Sequence, residues 1–341
     1  MNNLPMDANQ FIYVPDLSAE DEFRCRVLLP DNLQQYIING NVRGGKTPFE
    51  LNLGRGERMD KSLQIIGVRN AACKGELSFE ETFRFGPGSS GRIISCSHTL
   101  TPDEFSTRER MVINLEEGAN AEFFVMQNEH NKARHDLRCD ISLAEGASLR
   151  MVFISLHGGE INNEINVDLN GPHADCDLSG LYLTDTGQKM SNSVQLRHLV
   201  PDCHSNQLFK GILNDDGVSK FYGGILVAPD AQHTEAFQAN HNLLLSDSSR
   251  AYSKPQLEIY ADDVKCSHGA TVGRLDEDEL FYMRTRGITA DEARLLQQMA
   301  FAYEVLERIT SSELRERVLS LVEGRLRGDF ASCKGCTKNC C

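Results

Sequence analysis

Two stretches of the sequence, Leu115-Glu-Glu-Gly-Ala-Asn-Ala-Glu-Phe-Phe-Val125 and Leu143-Ala-Glu-Gly-Ala-Ser-Leu-Arg-Met-Val-Phe153, follow the same pattern. Each begins with a turn around a glycine and continues as a run of strand-forming residues. The two glycines, Gly118 and Gly146, are 28 residues apart. A turn and a strand that recur at this spacing predict a solenoid, in which each coil buries its inner face against the next.

The region around these repeats, from about Arg24 to Gly273, consists of short alternating apolar and polar runs separated by Gly, Asn and Asp. It shows no convincing helical period. A parallel β-helix accounts for strands without crossover helices, because each coil returns the chain to the same edge. The pattern therefore favours an all-β core of parallel β-helix type, with a β-sandwich as the alternative that the pattern alone leaves open.

A helical region follows the strands. Asp276 and Glu279 form a capping box for a short helix that Gly287 would end, and Thr289 and Glu292 repeat the box for a second helix. A third helix is predicted to start near Ser311. The second helix is expected to bury one apolar stripe, made of Ala293, Leu296, Met299, Ala300, Tyr303 and Leu306.

These patterns divide the chain into four parts. Residues 1–23 form an N-terminal segment in which only Leu17 to Phe23 reads as helical, and residues 24–275 form the β-helix core. Residues 276–326 form the helical region, and residues 327–341 form a flexible tail rich in cysteine.

Composition excludes several classes of partner. The formal net charge is -14 and no run of Lys or Arg is present, which argues against binding to nucleic acid or to an anionic membrane. The N-terminus has no signal-peptide pattern, and no uninterrupted apolar stretch of about 18 residues follows. We therefore expect a cytoplasmic protein, whose 11 Cys are reduced thiols rather than disulfides.

Two glycine-rich loops match nucleotide-binding patterns by letter only. The run from Gly40 to Thr47 fits a phosphate loop, but Pro48 and the alternating residues after it predict a strand where that loop needs a helix. The run from Gly86 to Gly91 fits a dinucleotide fingerprint, but a strand pattern again follows. Neither loop is expected to bind a nucleotide.

The residues most suggestive of chemistry are Cys266 and His268. They are two apart in a strand pattern, so both side chains would project from the same face. A thiol and an imidazole suit iron, zinc or an iron–sulfur cluster. The alternative is structural, a partly buried thiol beside a histidine bonded to the backbone.

The tail contains a second group of thiols. Four cysteines lie within nine residues and include a Cys-x-x-Cys pair that could chelate a metal or a cluster. Their terminal position, with no neighbouring core, favours an inert or redox-labile tail instead. These residues are Cys333, Cys336, Cys340 and Cys341.

The stretch from Tyr260 to Asp276, which contains Cys266-Ser-His268, together with the stretch from Leu280 to Ile288, closely resembles the C-terminal signature of the SufB/SufD family. The resemblance implies a right-handed parallel β-helix with a C-terminal helical region, and the Cys-Ser-His order favours the SufD branch. It also implies that His268, with Cys266 in the same motif, lies at an interface with SufB where a nascent cluster forms. The helical region would bind the ATPase SufC, through residues that we expect to include Leu280, Phe281, Tyr282, Arg284 and Arg286.

The function that this resemblance implies is that of a non-catalytic scaffold in a SufBCD complex. Such a subunit would support iron acquisition and cluster formation, holding iron or a cluster transiently rather than tightly in the isolated chain. Two alternatives stay open at this point: a stand-alone β-helix enzyme acting on polysaccharide, and a homodimeric scaffold that works without SufB.

Overall fold

The computed structural model describes residues 27–328, except for residues 30, 71, 74 and 100–103. In this range the chain forms 18 strands and then three helices. The strands are β1 (Leu33–Ile38), β2 (Asn41–Val42), β3 (Phe49–Leu53), β4 (Leu63–Arg69), β5 (Gly75–Phe85), β6 (Ser90–Thr99), β7 (Phe105–Leu115), β8 (Asn120–Asn128), β9 (Ala133–Leu143), β10 (Ser148–His157), β11 (Glu160–Leu169), β12 (Asp175–Thr184), β13 (Lys189–His198), β14 (His204–Leu213), β15 (Val218–Val227), β16 (Glu235–Leu244), β17 (Arg250–Ile259) and β18 (Lys265–Gly273). The helices are α1 (Glu277–Thr285), α2 (Ala290–Leu306) and α3 (Ser312–Arg327).

The strands alternate between two sheets. Sheet A has the order β18-β16-β14-β12-β10-β8-β6-β4-β1-β2, and sheet B has the order β17-β15-β13-β11-β9-β7-β5-β3. Apart from the antiparallel pair β1 and β2, all the described pairings are parallel. Each coil gives one strand to each sheet, so the predicted parallel β-helix, of about eight turns, is confirmed.

The interior of the solenoid is built from every second residue. In β9, for example, exposed or half-buried positions alternate with buried ones along the strand. Most of the inward apolar side chains of the two sheets form one large cluster that includes Phe83, Ile113, Phe153 and Val167. Burial of this stacked cluster stabilises coils that could not cover their own inner faces.

One corner of the solenoid requires a left-handed backbone in each coil. At most of these corners the amide of the corner residue donates to a carbonyl of the next coil, as Gly118 does to Glu145 at 2.8 Å. Its φ lies between 59° and 67°, a region that glycine enters at little cost. The corner residues are Gly56, Gly88, Gly118 and Gly146, followed by His173, Asp202 and His233 in the later coils.

Helices α2 and α3 cover the outer face of sheet A. The strands beneath them, such as β12 and β14, are buried on both faces over their second halves. A second apolar cluster joins Phe124, Ile154 and Leu181 of the sheet to Val305 and Val318 of the helices. The outer face of sheet B, by contrast, carries exposed ion pairs, such as the one between Arg197 and Asp168.

The predicted helix starts are confirmed. Asp276 caps α1 by accepting hydrogen bonds from the amides of Asp278 and Glu279, while Thr289 caps α2 and Ser311 caps α3. Gly287, after α1, has a φ of 88°. Each helix therefore begins where the capping chemistry placed it.

The stripe predicted for α2 is wrong in part. Ala293 and Leu306 are buried, but Leu296, Ala300 and Tyr303 are exposed and Met299 is only half-buried. The face that packs on sheet A instead consists of Ala293, Leu295, Gln298, Ala302, Val305 and Leu306. Apolar residues surround most of α2, so a helical period alone did not identify the buried side.

Both glycine-rich loops end in strands, as predicted. The first leads into β3 and the second into β6, so neither presents a helix N-terminus to a phosphate. The N-terminal segment 1–23 and the tail cysteines lie outside the described residues. Among the described helices, none combines the length and hydropathy that crossing a bilayer requires.

Candidate functional site

The site predicted from sequence lies at the last coil of the described solenoid. Strand β18 pairs with β16 alone, and β17 pairs with β15 alone, so both strands form the outer edges of their sheets. Their residues are mostly exposed, in contrast to the buried strands beneath them. Within residues 27–328 no other strand covers this end of the β-helix, which consists of two long edge strands and which we call the open end.

Cys266 and His268 lie on the same face of β18. They are in register with Ala236 and Gln238 of β16, both of which are buried on the inner face of sheet A. The two side chains thus continue the inner face into the last coil, where no further coil of the described chain covers them. The structure brings together the pair that the spacing in sequence predicted.

The two side chains differ in exposure. Cys266 is half-buried beside Ala236 and Ala261, whereas His268 is exposed. Burial raises the pKa of the Cys266 thiol, and a hydrogen bond with the backbone of Ala236 offsets part of this effect. In the described part of the chain, no group of three or more His, Cys, Asp or Glu side chains is arranged to hold a metal ion. Cys266 and His268 are therefore two candidate ligands without a third beside them among the described residues.

The backbone of β18 is also available for pairing. The amide of Lys265 donates to the carbonyl of Thr234, the residue before β16. The alternation along a strand therefore directs the amides of residues 266, 268, 270 and 272 away from β16, toward the open edge. On β17 the amides of Arg250 and Tyr260 donate toward β15. By the same alternation, an N–H at position 255 would face the open edge. Position 255 is a proline and has no N–H, so β18 offers the more complete set of donors.

The residues predicted to contact a partner lie on or just after α1. Leu280 is 5% exposed and anchors the helix, while Phe281 and Tyr282 are 68% and 59% exposed. Arg286 stacks over the Tyr282 ring at 5.1 Å and donates to its hydroxyl at 3.1 Å. Arg284 is exposed. Four of the five residues are thus accessible to another protein, and Leu280 supports them from below.

Leu296 and Tyr303 of α2 add to this surface, since both are almost half exposed. Single exposed apolar residues are ordinary, but α1 and the neighbouring α2 together expose four large apolar or aromatic side chains. We call Phe281, Tyr282, Leu296 and Tyr303 the helical apolar surface. Sequence analysis missed its α2 half, because it placed Leu296 and Tyr303 in the core.

Polar contacts fix α2 and α3 to the solenoid. Lys210 of β14 donates to the carbonyl of Phe301 at 3.2 Å and forms an ion pair with Glu304. The Arg308 guanidinium, just after α2, donates to Asp177 at 2.6 Å. These contacts add to the apolar cluster beneath the helices, so the helices and sheet A form one packed body.

A second group of titratable residues lies inside the solenoid and has a structural role. His135 Nδ1 is 2.7 Å from Glu129 and its Nε2 is 3.1 Å from Glu109, with all three side chains buried. Burial alone would lower the pKa of His135, but the two carboxylates outweigh it and raise the pKa to about 10. The imidazole is therefore a cation held between two anions, and neither nitrogen is available to a metal.

Comparison with known proteins identifies the family of the chain. The family model described as "SUF system FeS cluster assembly, SufBD core domain" matches residues 71–301, which include β17, β18 and α1. The chain is 32% identical over 304 residues to the iron–sulfur cluster assembly protein SufD of Escherichia coli, covering 88% of this chain and 72% of that protein.

Two further relatives are iron–sulfur cluster assembly SufBD family proteins. The chain is 37% identical over 205 residues to one from Mycobacterium leprae, covering 58% of this chain and 51% of the relative. It is 33% identical over 236 residues to one from Synechocystis, covering 68% of this chain and 52% of the relative. The chain thus spans about half the length of these two proteins. The match of the core model and the similarity to the E. coli protein show that the chain belongs to the SufBD family of the SUF iron–sulfur cluster assembly system.

Proposed function

We propose that this chain is a cytoplasmic scaffold subunit on which iron–sulfur clusters are assembled, and that it acts at a junction with a SufB-type subunit. The observation that carries the proposal is the position of Cys266 and His268 on β18, an edge strand whose outer side pairs with no described strand, at the open end of the solenoid. Ligand side chains on such a strand would lie close to ligand side chains of a protein that pairs with the same edge.

Edge pairing is the favoured way for the two subunits to join. An edge strand presents a row of free N–H and C=O groups, and addition of a strand from a second protein satisfies them. The amides of His268 and of its neighbours Cys266, Ala270 and Val272 face this edge by the alternation described above. A partner strand on β18 would therefore lie directly beside the two candidate ligands.

The incomplete ligand set requires a partner. An iron–sulfur cluster takes about four protein ligands, mainly thiolates with an occasional imidazole. This chain contributes two candidates at the open end, so the partner would supply the others. Iron and the nascent cluster are in this view the cargo of the junction, formed between subunits and then passed on.

We further propose that a SufC-type ATPase binds the helical apolar surface. ATP hydrolysis would take place on that partner, and this chain would have no catalytic group of its own. Because α2 packs on sheet A through buried apolar and ionic contacts, a force applied to the helices would move the sheet with them. The movement would reach β18, which is the outer strand of the same sheet.

The test is a reconstitution of cluster assembly with SufB-type and SufC-type partners, comparing His268→Ala with His204→Ala. His204 is a partly exposed histidine of the same sheet that bonds to Asp175 at 2.7 Å, away from the edge. We expect His268→Ala to slow cluster formation by at least about tenfold, since even indirect partners of a metal ligand contribute that much. His204→Ala should leave the rate unchanged, and both variants should unfold at the same denaturant concentration as the parent. Full assembly by His268→Ala would overturn the proposal.

A further inference from the structure

Beneath His268 lies a row of two buried glutamine side chains. Gln207 of β14, Gln238 of β16 and His268 of β18 occupy equivalent positions on three consecutive strands of sheet A. Gln207 and Gln238 are 0% and 3% exposed and face the interior. Neighbouring strands are about 4.8 Å apart, so the imidazole and the Gln238 amide are within hydrogen-bonding reach of each other.

The Gln238 amide is only partly satisfied. Its Nε2 donates to Gln207 Oε1 at 3.0 Å, which leaves its Oε1 as a buried acceptor without a partner among the described residues. An unsatisfied buried polar group costs about 1–3 kcal/mol, so such an atom calls for a partner. Since Nε2 is directed to β14, the oxygen is left for the strand on the other side of β16, which is β18.

The space around the amide fixes its position. A methyl group on Gly223, across the interior in β15, would lie 2.4 Å from Gln238 Nε2. The amide therefore occupies a volume that is open only because residue 223 is glycine. Gly223 is in register with Pro255 of β17, which belongs to the open end.

We propose that Gln238 is a positioning residue for His268. The exposed His268 ring is not bonded to Gln238 in this structure, but when the ring turns inward Gln238 Oε1 can accept the N–H of one ring nitrogen. That bond holds the imidazole in one tautomer and directs the lone pair of its other nitrogen to the cargo. Histidine ligands of metals are commonly held in this way by an acceptor behind the ring. The metal-directed part of this role rests on the proposed function, whereas the contact between the two side chains does not.

The contact can be tested on the isolated full-length chain by nitrogen-15 NMR at a fixed pH at which the imidazole is neutral. His268→Asn identifies the His268 signals. We expect one dominant tautomer in the parent, a mixture close to that of free imidazole in Gln238→Met, and recovery of the single tautomer in Gln238→Glu, which keeps the acceptor. A tautomer that is unchanged in Gln238→Met would overturn the positioning role.

A matched control separates this effect from a loss of stability. Gln127 is also a buried amide of the interior and donates to Asn163 at 2.8 Å, but it lies on β8, far along the sheet from His268. Gln127→Met should destabilise the fold to a similar degree and leave the His268 tautomer as it is. If it shifts the tautomer as much as Gln238→Met does, the proposal is wrong.

The rate of cluster formation in a reconstituted complex then tests whether the bond between Gln238 and His268 matters for the cluster. We expect Gln238→Met to slow cluster formation by about 10–100-fold and Gln238→Glu to restore much of the rate. A shifted tautomer together with normal assembly would confirm the contact but overturn the role of His268 proposed above. The two proposals can therefore fail separately.

Discussion

The Arg325 guanidinium donates to Asp185 Oδ2 at 2.7 Å, joining residues that are 140 positions apart in the chain. The same side chain donates to the carbonyl of Leu156 at 3.1 Å and is 7% exposed. This buried contact fixes the C-terminal turns of α3 to a corner of the solenoid, next to the core.

Loss of this contact should destabilise the fold strongly. Arg325→Met removes the partner of a largely buried carboxylate, and breaking a buried pair in this way costs about 3–5 kcal/mol. Urea unfolding would measure the loss. The control is Arg327→Met, because Arg327 also pairs with two carboxylates, Glu292 and Glu323, but its side chain is 43% exposed. We expect a change within about 1 kcal/mol for the control, and equal losses in the two variants would contradict the prediction.

Because of the buried His135, the free energy of unfolding should depend on pH in the alkaline range. Its pKa is raised to about 10 in the folded chain, compared with about 6.5 for an unperturbed histidine. A raised pKa means that the folded state holds the proton more tightly, so the stabilisation is complete below about pH 6.5 and is lost as pH rises toward 10. We expect the difference in unfolding free energy between the parent and His135→Gln to shrink steadily between pH 6.5 and 10. A difference that is constant over this range would show that His135 is not the cation described above.

Proline substitutions in β18 should distinguish the two sides of the edge strand. Ala270→Pro removes an amide directed to the open edge, so the isolated chain should keep its stability while pairing with a SufB-type subunit is lost. Thr271→Pro removes an amide directed to β16 and should cost at least about 1 kcal/mol in the isolated chain. Urea unfolding and size-exclusion chromatography with the partner measure the two effects. Normal pairing by Ala270→Pro would contradict edge pairing through β18.

The exposed residues of α2 should matter for a partner and not for the fold. Leu296→Ser together with Tyr303→Ser should weaken binding of a SufC-type ATPase by at least about tenfold, since large apolar and aromatic side chains dominate most interfaces. Stability should change by less than about 0.5 kcal/mol per site. Leu306→Ala, on the buried face of the same helix, should instead cost about 2–5 kcal/mol. Unchanged ATPase binding in the double variant would show that the ATPase binds a different surface.

The repeat in the sequence predicted the solenoid but revealed only part of it. Gly118 and Gly146 mark the left-handed corner in two coils, and their spacing of 28 residues is visible because both are glycine. In the later coils the same corner is His173, Asp202 and His233, at φ values near 60°. These three residues adopt the left-handed conformation although none of them is glycine. The later repeats therefore could not be recognised in the sequence.

Side-chain direction on α2 and neighbours across strands were the features that sequence could not supply. The helical period of α2 is satisfied by more than one face, and only its packing on sheet A selects the one with Leu295 and Val305. Likewise, Gln238 and His268 are 30 residues apart, and nothing local relates them. Their relationship exists only through the register of β16 and β18.

The two ends of the described solenoid differ in length, and this difference limits how copies can associate. At one end the outermost strands, β17 and β18, have ten and nine residues, while at the other end β2 and β3 have two and five. Head-to-tail stacking would match a long end with a short one, whereas joining two long ends about a twofold or pseudo-twofold axis matches them fully. When two solenoids join through their long ends, neither long end remains free to pair. The product is then a closed particle of two solenoids and not a growing filament.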